Sequence, residues 1–153
     1  MDEDVNVFKY AMRFSIAYFL LLLLLAVILT LLNIDGNTGG SIGALLGAVA
    51  IVVHKFVDDN ERAPNKTEKR KLVWLSYFLS LLVSGLLFSL VILLLEGTSG
   101  FVFLASIFSQ LGSLITIGII IFVSFIYLMA LSFGYGSLAK IHIKALQKKG
   151  RIQ

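Results

Sequence analysis

The segment that decides the fold is residues 36–64, GNTGGSIGALLGAVAIVVHKFVDDNERAP, whose apolar, glycine-rich first half runs directly into a charged second half. Gly39, Gly43 and Gly47 are spaced four residues apart. On a helix, residues at this spacing lie on one face, and a strip of small residues lets another helix backbone approach closely. The segment therefore predicts a membrane helix that packs against a neighbour and ends in a polar loop.

The composition of the whole chain is typical of a membrane protein. Of its 153 residues, 58% are hydrophobic and 14% are charged, whereas soluble domains have about 45–50% and about 25%. Apolar runs of about 20 residues match the length that a helix needs to cross about 30 Å of hydrocarbon. No alternating strand pattern competes with these runs. We therefore expect one all-α transmembrane domain over residues 1–153.

Four membrane-spanning helices are predicted from the apolar runs. They cover residues 14–34, 39–57, 72–95 and 114–133. Pro64 stops a helix that continues from the second span. Asn65 followed by Glu68 is the pattern of a capping box, in which each residue's side chain accepts a hydrogen bond from the other's backbone N–H. The third helix is therefore expected to begin in water, before its apolar run.

The uncharged stretch 97–139 is too long for one span. As a single helix it would measure about 64 Å, roughly twice the bilayer. We expect an interfacial helix over about 101–110 and a break near Gly112 before the fourth span. The alternative is two full spans joined by a hairpin near Gly112. After the fourth span, residues 137–149 alternate apolar and basic side chains, which predicts an amphipathic helix on an anionic membrane surface.

Lysine and arginine predict the orientation of the chain. Lys9 and Arg13 precede the first span, six basic residues lie between positions 55 and 71, and the tail is basic, whereas the loops near 36 and 98 hold none. The positive-inside rule then places both termini and the 58–71 loop in the cytoplasm. We attribute the net charge of +4 to this topology and to interaction with anionic lipid head groups. We expect no nucleic-acid partner.

A second strip of small residues lies on the third span. Ser76, Ser80 and Ser84 recur every fourth residue, so the strip is suited to packing on the glycine face of the second span, through Gly43 and Gly47. The alternative is that the hydroxyl groups donate to carbonyl groups of their own helix.

The residue pattern does not predict catalysis or a bound cofactor. The chain has no cysteine, and its two histidines lack the spacing of metal ligands, so no metal site is expected. The acidic residues of the loop lack the spacing and glycine of a calcium loop, and lysine and arginine compete for them. We expect a solvated loop with local ion pairs. Its candidate contact residues are Asp58, Asp59, Asn60 and Arg62.

The loop also carries a resemblance to a family. The segment KFVDDNERAP at 55–64, with Glu68 and the stretch LVWLS at 72–76, resembles a family of small bacterial inner-membrane proteins of unknown function. Those proteins are similar in length and have four predicted spans and a Lys-Phe…Asn-x-Arg-x-Pro segment after the second. The resemblance implies a bacterial inner membrane and supplies no substrate, partner or activity.

Two functional hypotheses follow, besides a third, an intramembrane enzyme that acts on lipid. The first is a non-enzymatic protein that recognises or steadies another membrane component, as an accessory subunit or an immunity-type protein would. Its partner would be a membrane protein or a second copy of the chain. The second is an oligomeric channel or small-molecule permease lined by small and hydroxyl side chains. The candidate lining residues are Gly39, Gly43, Gly47, Ser76, Ser80, Ser84, Ser109, Gly112, Ser113 and Thr116.

Overall fold

The structure is a computed structural model that describes residues 5–33 and 38–148, with the backbone alone at Thr38 and Gly39. These residues form helices and no strand, so the predicted all-α class is confirmed. The helices are α1 (Val7–Leu31), α2 (Thr38–Asn60), α3 (Lys66–Glu96), α4 (Thr98–Leu111), α5 (Ser113–Phe133), a π-helical turn (Gly134–Leu138) and α6 (Ala139–Lys148). Residues 34–37 of the predicted loop near 36, and the predicted end of the tail at 149, lie outside the described residues.

Four helices are long and apolar enough to cross a membrane, as predicted. They are Val7–Leu31, Gly40–Asn60, Lys66–Glu96 and the continuous stretch Ser113–Lys148, which contains α5, the π turn and α6. Two of them start earlier than their apolar runs because side chains cap their first turns. The Asn6 side chain accepts a hydrogen bond from the Lys9 N–H at the start of α1, and Asn65 with Glu68 forms the predicted capping box at the start of α3.

The four long helices form a ring in the order α1, α2, α5, α3. Helix α1 packs against both α2 and α3, and α5 with its π turn packs against both of them from the other side. Helices α2 and α3 are therefore diagonal, and bulky side chains from α1 and from the π turn fill the space between them. Tyr18 and Tyr135 are two of these side chains, and both are fully buried.

The buried core lies at the end of the bundle that carries the α2–α3 connection, residues 61–65, which we call the loop end. The last buried side chain of α1 is Tyr18, that of α3 is Val83, and Leu131 is the buried residue of α5. Towards the opposite, far end these three helices present mostly exposed apolar side chains. Such surfaces are consistent with contact with hydrocarbon.

Helix α4 is bounded by two glycines in the left-handed region of φ. Gly97 has a φ of +63° and Gly112 a φ of +77°. Residues that carry a Cβ rarely adopt these backbone conformations. The predicted break near Gly112 is therefore present, and α4 is a separate apolar helix of 14 residues between α3 and α5.

Candidate functional site

Charged and polar side chains meet at the loop end in a cluster that we call the polar junction. The last turns of α2 supply five of its residues, and α1, the α2–α3 connection, the first turn of α3 and α6 supply the others. The members are Tyr10, Arg13, His54, Lys55, Asp58, Asp59, Asn60, Arg62, Glu68 and His142. The cluster joins four helices because these residues lie at or near helix ends that meet at the loop end.

Asp59 ties α2 to α1. Its Oδ2 accepts hydrogen bonds from the Tyr10 hydroxyl at 3.1 Å and from Arg13 Nη1 at 3.3 Å, and its Oδ1 lies 2.6 Å from Lys55 Nζ. Asn60 adds a second tie, because its Nδ2 donates to the Tyr10 hydroxyl oxygen at 3.1 Å. The Lys55 hydrogen bond is the main cause that holds the pKa of the Asp59 carboxyl below its usual value.

Arg62 and Glu68 close the connection between α2 and α3. Two guanidinium nitrogens of Arg62 donate to the two carboxylate oxygens of Glu68, each at 2.8 Å. The Asn65 N–H donates to Glu68 Oε2, also at 2.8 Å. The Arg62 guanidinium additionally lies 5.9 Å from the centre of the Phe56 ring. The arginine is the main cause of a lowered pKa for Glu68, which precedes the apolar run beginning at Leu72.

Two histidines dock α6 on α2. His142 Nε2 lies 3.2 Å from Asp58 Oδ1, and the rings of His54 and His142 are 3.9 Å apart between centres. In residues 5–33 and 38–148, no group of three His, Cys, Asp or Glu side chains could hold a metal ion.

The four predicted loop residues bind different parts of the chain. Asp58 contacts α6, Asp59 and Asn60 contact α1, and Arg62 contacts the first turn of α3. The sequence indicated only local ion pairs, and the structure contains one between Lys55 and Asp59, which are four residues apart. It carried no signal for the partners from distant helices, which are Tyr10, Arg13 and His142.

The glycine strip of α2 faces α1, so the predicted pairing of α2 with α3 through this strip was wrong. A Cβ on Gly47 would lie 3.1 Å from Leu21 Cδ1, and one on Gly40 would lie 2.7 Å from Leu25 Cδ2. A Cβ on Gly43 would have no neighbour within 4 Å. Small-residue spacing identifies a close-approach face, but the ring order decides which helix occupies it. The surroundings of Gly39 lie outside the described residues.

The serine strip of α3 is divided among three partners. Ser76 Oγ is hydrogen-bonded to the Tyr135 hydroxyl at 2.7 Å, and Ser84 Oγ to the Tyr18 hydroxyl at 3.0 Å. Ser80 donates to the carbonyl of Tyr77 in its own helix at 2.8 Å, which is the alternative that the sequence left open. Tyrosines of α1 and the π turn, rather than glycines of α2, therefore complete this strip.

The residues predicted to line a channel do not share one surface of the single chain. Ser76 and Ser80 are buried in the core, and Gly47 is covered by α1. In α4 and α5 the hydroxyls of Ser109 and Thr116 donate to carbonyls one turn earlier in their own helical segments. A pore lined by these residues would require a second copy of the chain, which would bring the side chains that remain exposed on each copy together.

The chain was compared with protein-family models, with curated proteins and with solved structures. None of the three comparisons gives a match.

An open apolar groove runs between α1 and α2 from the polar junction. Its volume is about 620 Å³, and Ile16, Leu20 and Ile51 are among its walls. Arg13 and Lys55 stand at its polar end, where both bind Asp59. The groove therefore has mainly apolar walls, and the two cations at its polar end are already paired with Asp59.

Proposed function

We propose that the chain is a non-enzymatic multi-pass protein of the bacterial inner membrane that acts through helix–helix contacts with another membrane component. The component would be a membrane protein that the chain serves as an accessory subunit or immunity-type protein, or a second copy of the chain. The observation that carries this proposal is an uncovered small-residue strip on α3, formed by Gly85 and Ser89.

Gly85 and Ser89 lie on the outer face of α3. Both are exposed, and a Cβ on Gly85 would have no neighbour within 4 Å. At 100° per residue, Gly85 is on the side of the helix opposite the buried Ser76. A glycine and a serine four residues apart on a surface that faces hydrocarbon let another transmembrane helix approach closely. The same geometry inside the chain is already used where Leu21 covers Gly47.

The polar junction supports a structural role for the charged residues. Asp59 and Glu68 are each bound by cations of the same chain, and Asp58 is bound by His142. In the described residues, every buried side-chain nitrogen or oxygen atom has a hydrogen-bond partner. Carboxylates that are bound by basic side chains of the same chain stabilise the bundle, whereas a catalytic group must be available to a substrate.

Orientation and location are proposed from the basic residues and the family resemblance. The loop end carries the basic residues and would face the cytoplasm.

The level of α4 follows from the pairing of α3 with α5. The Ser76–Tyr135 hydrogen bond fixes the relative level of these two helices. Glu96 and Ser113 both lie about 30 Å along their helices from this bond. Because α4 begins and ends at nearly the same level, we place it at the far membrane interface.

Affinity purification of the tagged full chain from native membranes in mild detergent tests the proposed function. We expect a second membrane protein or a second copy to be recovered with the wild type. Gly85→Leu should remove it, because the leucine fills the close-approach strip. Leu86→Phe is the matched control, since it adds bulk at the next exposed position, where a large side chain already stands. Recovery of the wild-type chain alone would refute the proposal.

A further inference from the structure

A second, smaller cleft lies between α3 and α5 at the loop end and is lined mainly by cations. Its volume is about 210 Å³, and its lining residues are Lys66, Lys69, Arg70, Val73 and Ser132. The three cations come from two successive turns of α3, and the serine comes from the last turn of α5. We call this site the basic cleft.

The charges of the basic cleft have no counter-ion within residues 5–33 and 38–148. No carboxylate there forms an ion pair with Lys66, Lys69 or Arg70. Lys69 is half-buried, and its Nζ lies 2.8 Å from the place of a Cβ on Gly136, so its charge is held over the backbone next to the cleft. Repulsion among three adjacent cations is relieved when an anion binds between them.

The position of the cleft along α3 corresponds to the level of lipid head groups. The apolar run of α3 begins at Leu72, one turn beyond Lys69. Trp74 and Tyr77 follow, and rings of this type settle at the membrane interface. Trp74 is 48% exposed and Phe133 is 69% exposed. A ligand in the basic cleft would therefore have cations around its head and exposed apolar side chains beside its tail.

We propose that the basic cleft binds one anionic phospholipid, whose phosphate lies among Lys66, Lys69 and Arg70. Basic pockets between transmembrane helices bind anionic head groups in this way. The Ser132 hydroxyl is placed to donate to a phosphate oxygen, and the acyl chains lie along the outer faces of α3 and α5. This site is independent of the proposed protein partner, which is placed on the Gly85 face.

The larger groove between α1 and α2 is the weaker candidate for the same ligand. Its two cations, Arg13 and Lys55, share the Asp59 carboxylate, and Asp58 adds a further negative charge at its edge. A lipid phosphate would have to compete with these carboxylates. Charge complementarity therefore favours the basic cleft, where no acidic side chain lines the walls.

Fluorescence of Trp74 can measure which lipid occupies the site, because the chain contains one tryptophan. The full-length protein is reconstituted in phosphatidylcholine vesicles with a small fraction of brominated lipid, which quenches a neighbouring tryptophan. We expect brominated phosphatidylglycerol to quench Trp74 several times more effectively than brominated phosphatidylcholine. Neutralising the cleft in the variant Lys66→Gln/Arg70→Gln should reduce the preference, by about fivefold in affinity for each charge.

The matched control removes the same net charge elsewhere. Lys9 and Lys71 are exposed and do not line the cleft, so Lys9→Gln/Lys71→Gln should keep the preference. An equal loss of the phosphatidylglycerol preference in both double variants would show that the lipid is attracted to the whole basic surface. That result would overturn the proposed site. Loss of the preference on adding millimolar inorganic phosphate would identify a free-anion site instead of a lipid site and would also overturn it.

The wild type alone provides a test that does not depend on variant folding. Raising the salt concentration to roughly 1 M shortens the screening length to about 3 Å and should weaken the preference for the anionic lipid. A preference for phosphatidylglycerol that is unchanged by salt, or no preference at any salt concentration, contradicts the proposal. Recovery of a protein partner in the purification experiment has no bearing on this result.

Discussion

Glu68 is the residue on which the turn between α2 and α3 depends. Its side chain is 11% exposed, and it accepts three hydrogen bonds, two from Arg62 and one from the Asn65 N–H. A planar guanidinium matches a carboxylate in this two-point arrangement, which makes the pair stronger than a single surface ion pair. Glu61, seven residues earlier, is exposed and forms no ion pair in the described structure.

The variant Glu68→Gln should destabilise the bundle, whereas Glu61→Gln should not. Glutamine keeps the size of the side chain but removes the charge that binds Arg62, at a cost of about 2 kcal/mol. Thermal unfolding of the purified protein in detergent, followed by circular dichroism at pH 7, measures the difference. A Glu68→Gln midpoint equal to that of Glu61→Gln would show that the pair contributes little.

The pH dependence of stability gives a second test of the same residue. Because the pKa of Glu68 is lowered in the folded state, its contribution is fully present above the unfolded pKa of about 4.3. The contribution is lost as the pH falls through the lower, folded pKa. The difference in midpoint between wild type and Glu68→Gln should therefore be constant from neutral pH to about pH 5 and should narrow below about pH 4. A constant difference down to pH 3 would contradict this assignment.

At the scale of elements, the π turn packs closely on α2. A Cβ on Gly134 would lie 2.8 Å from Val49 Cγ1 and 3.4 Å from Val49 Cβ. Valine is branched at Cβ and has one strongly preferred rotamer in a helix, so it cannot turn away. The glycine is therefore what allows the end of α5 to pack on α2.

The variant Gly134→Ala should destabilise the protein, and Gly43→Ala is its control. Both changes add one methyl group to a helical glycine, but a Cβ on Gly43 meets nothing within 4 Å. We expect a loss of about 1–3 kcal/mol for Gly134→Ala from overpacking and no loss for Gly43→Ala, since alanine favours the helix. The same thermal unfolding experiment compares the two. Equal midpoints would mean that α2 and the π turn can separate without cost.

Sequence patterns predicted where the helices lie along the chain far better than which helices pack against each other. Apolar runs locate the spans because hydrocarbon thickness sets a minimum length, and Asn65 with Glu68 marks the start of α3 because the capping box is local. The partner of Gly47 was not predictable from spacing, since a small residue accommodates any helix that approaches. The ties of Asp59 to Tyr10 and of Asp58 to His142 depend on the ring order of the helices, which no local pattern contains.

At the scale of the whole molecule, the two ends of the bundle differ in kind. The loop end contains the buried core, the polar junction and the basic cleft. The far end consists of α4 and of helix surfaces that are exposed and apolar. Basic residues on one side of a membrane oppose translocation of the segments that carry them, so the chemical asymmetry and the proposed orientation have the same origin.

Reporter fusions test this orientation. A reporter that is active only in the cytoplasm should be active when fused after Gln153 and inactive when inserted near Gly97, because six basic residues between positions 55 and 71 face none near 36 and 98. Insertion near Asn60 serves as the internal cytoplasmic control. Inactivity after Gln153 as well as near Gly97 would require one more crossing within 97–139, and α4 would then not be interfacial. Activity near Gly97 together with inactivity after Gln153 would mean that the whole bundle is inverted.

The contacts of the polar junction become possible at different times during synthesis, because their partners lie at different distances along the chain. Asp59 and its α1 partners are made early, and Arg62 gains Glu68 a few residues later. Asp58, however, obtains His142 only after 84 more residues have been added. A chain that stops before α6 therefore contains all four apolar runs and still leaves Asp58 without His142. The Asp58–His142 contact thus forms only in a chain that extends through α6.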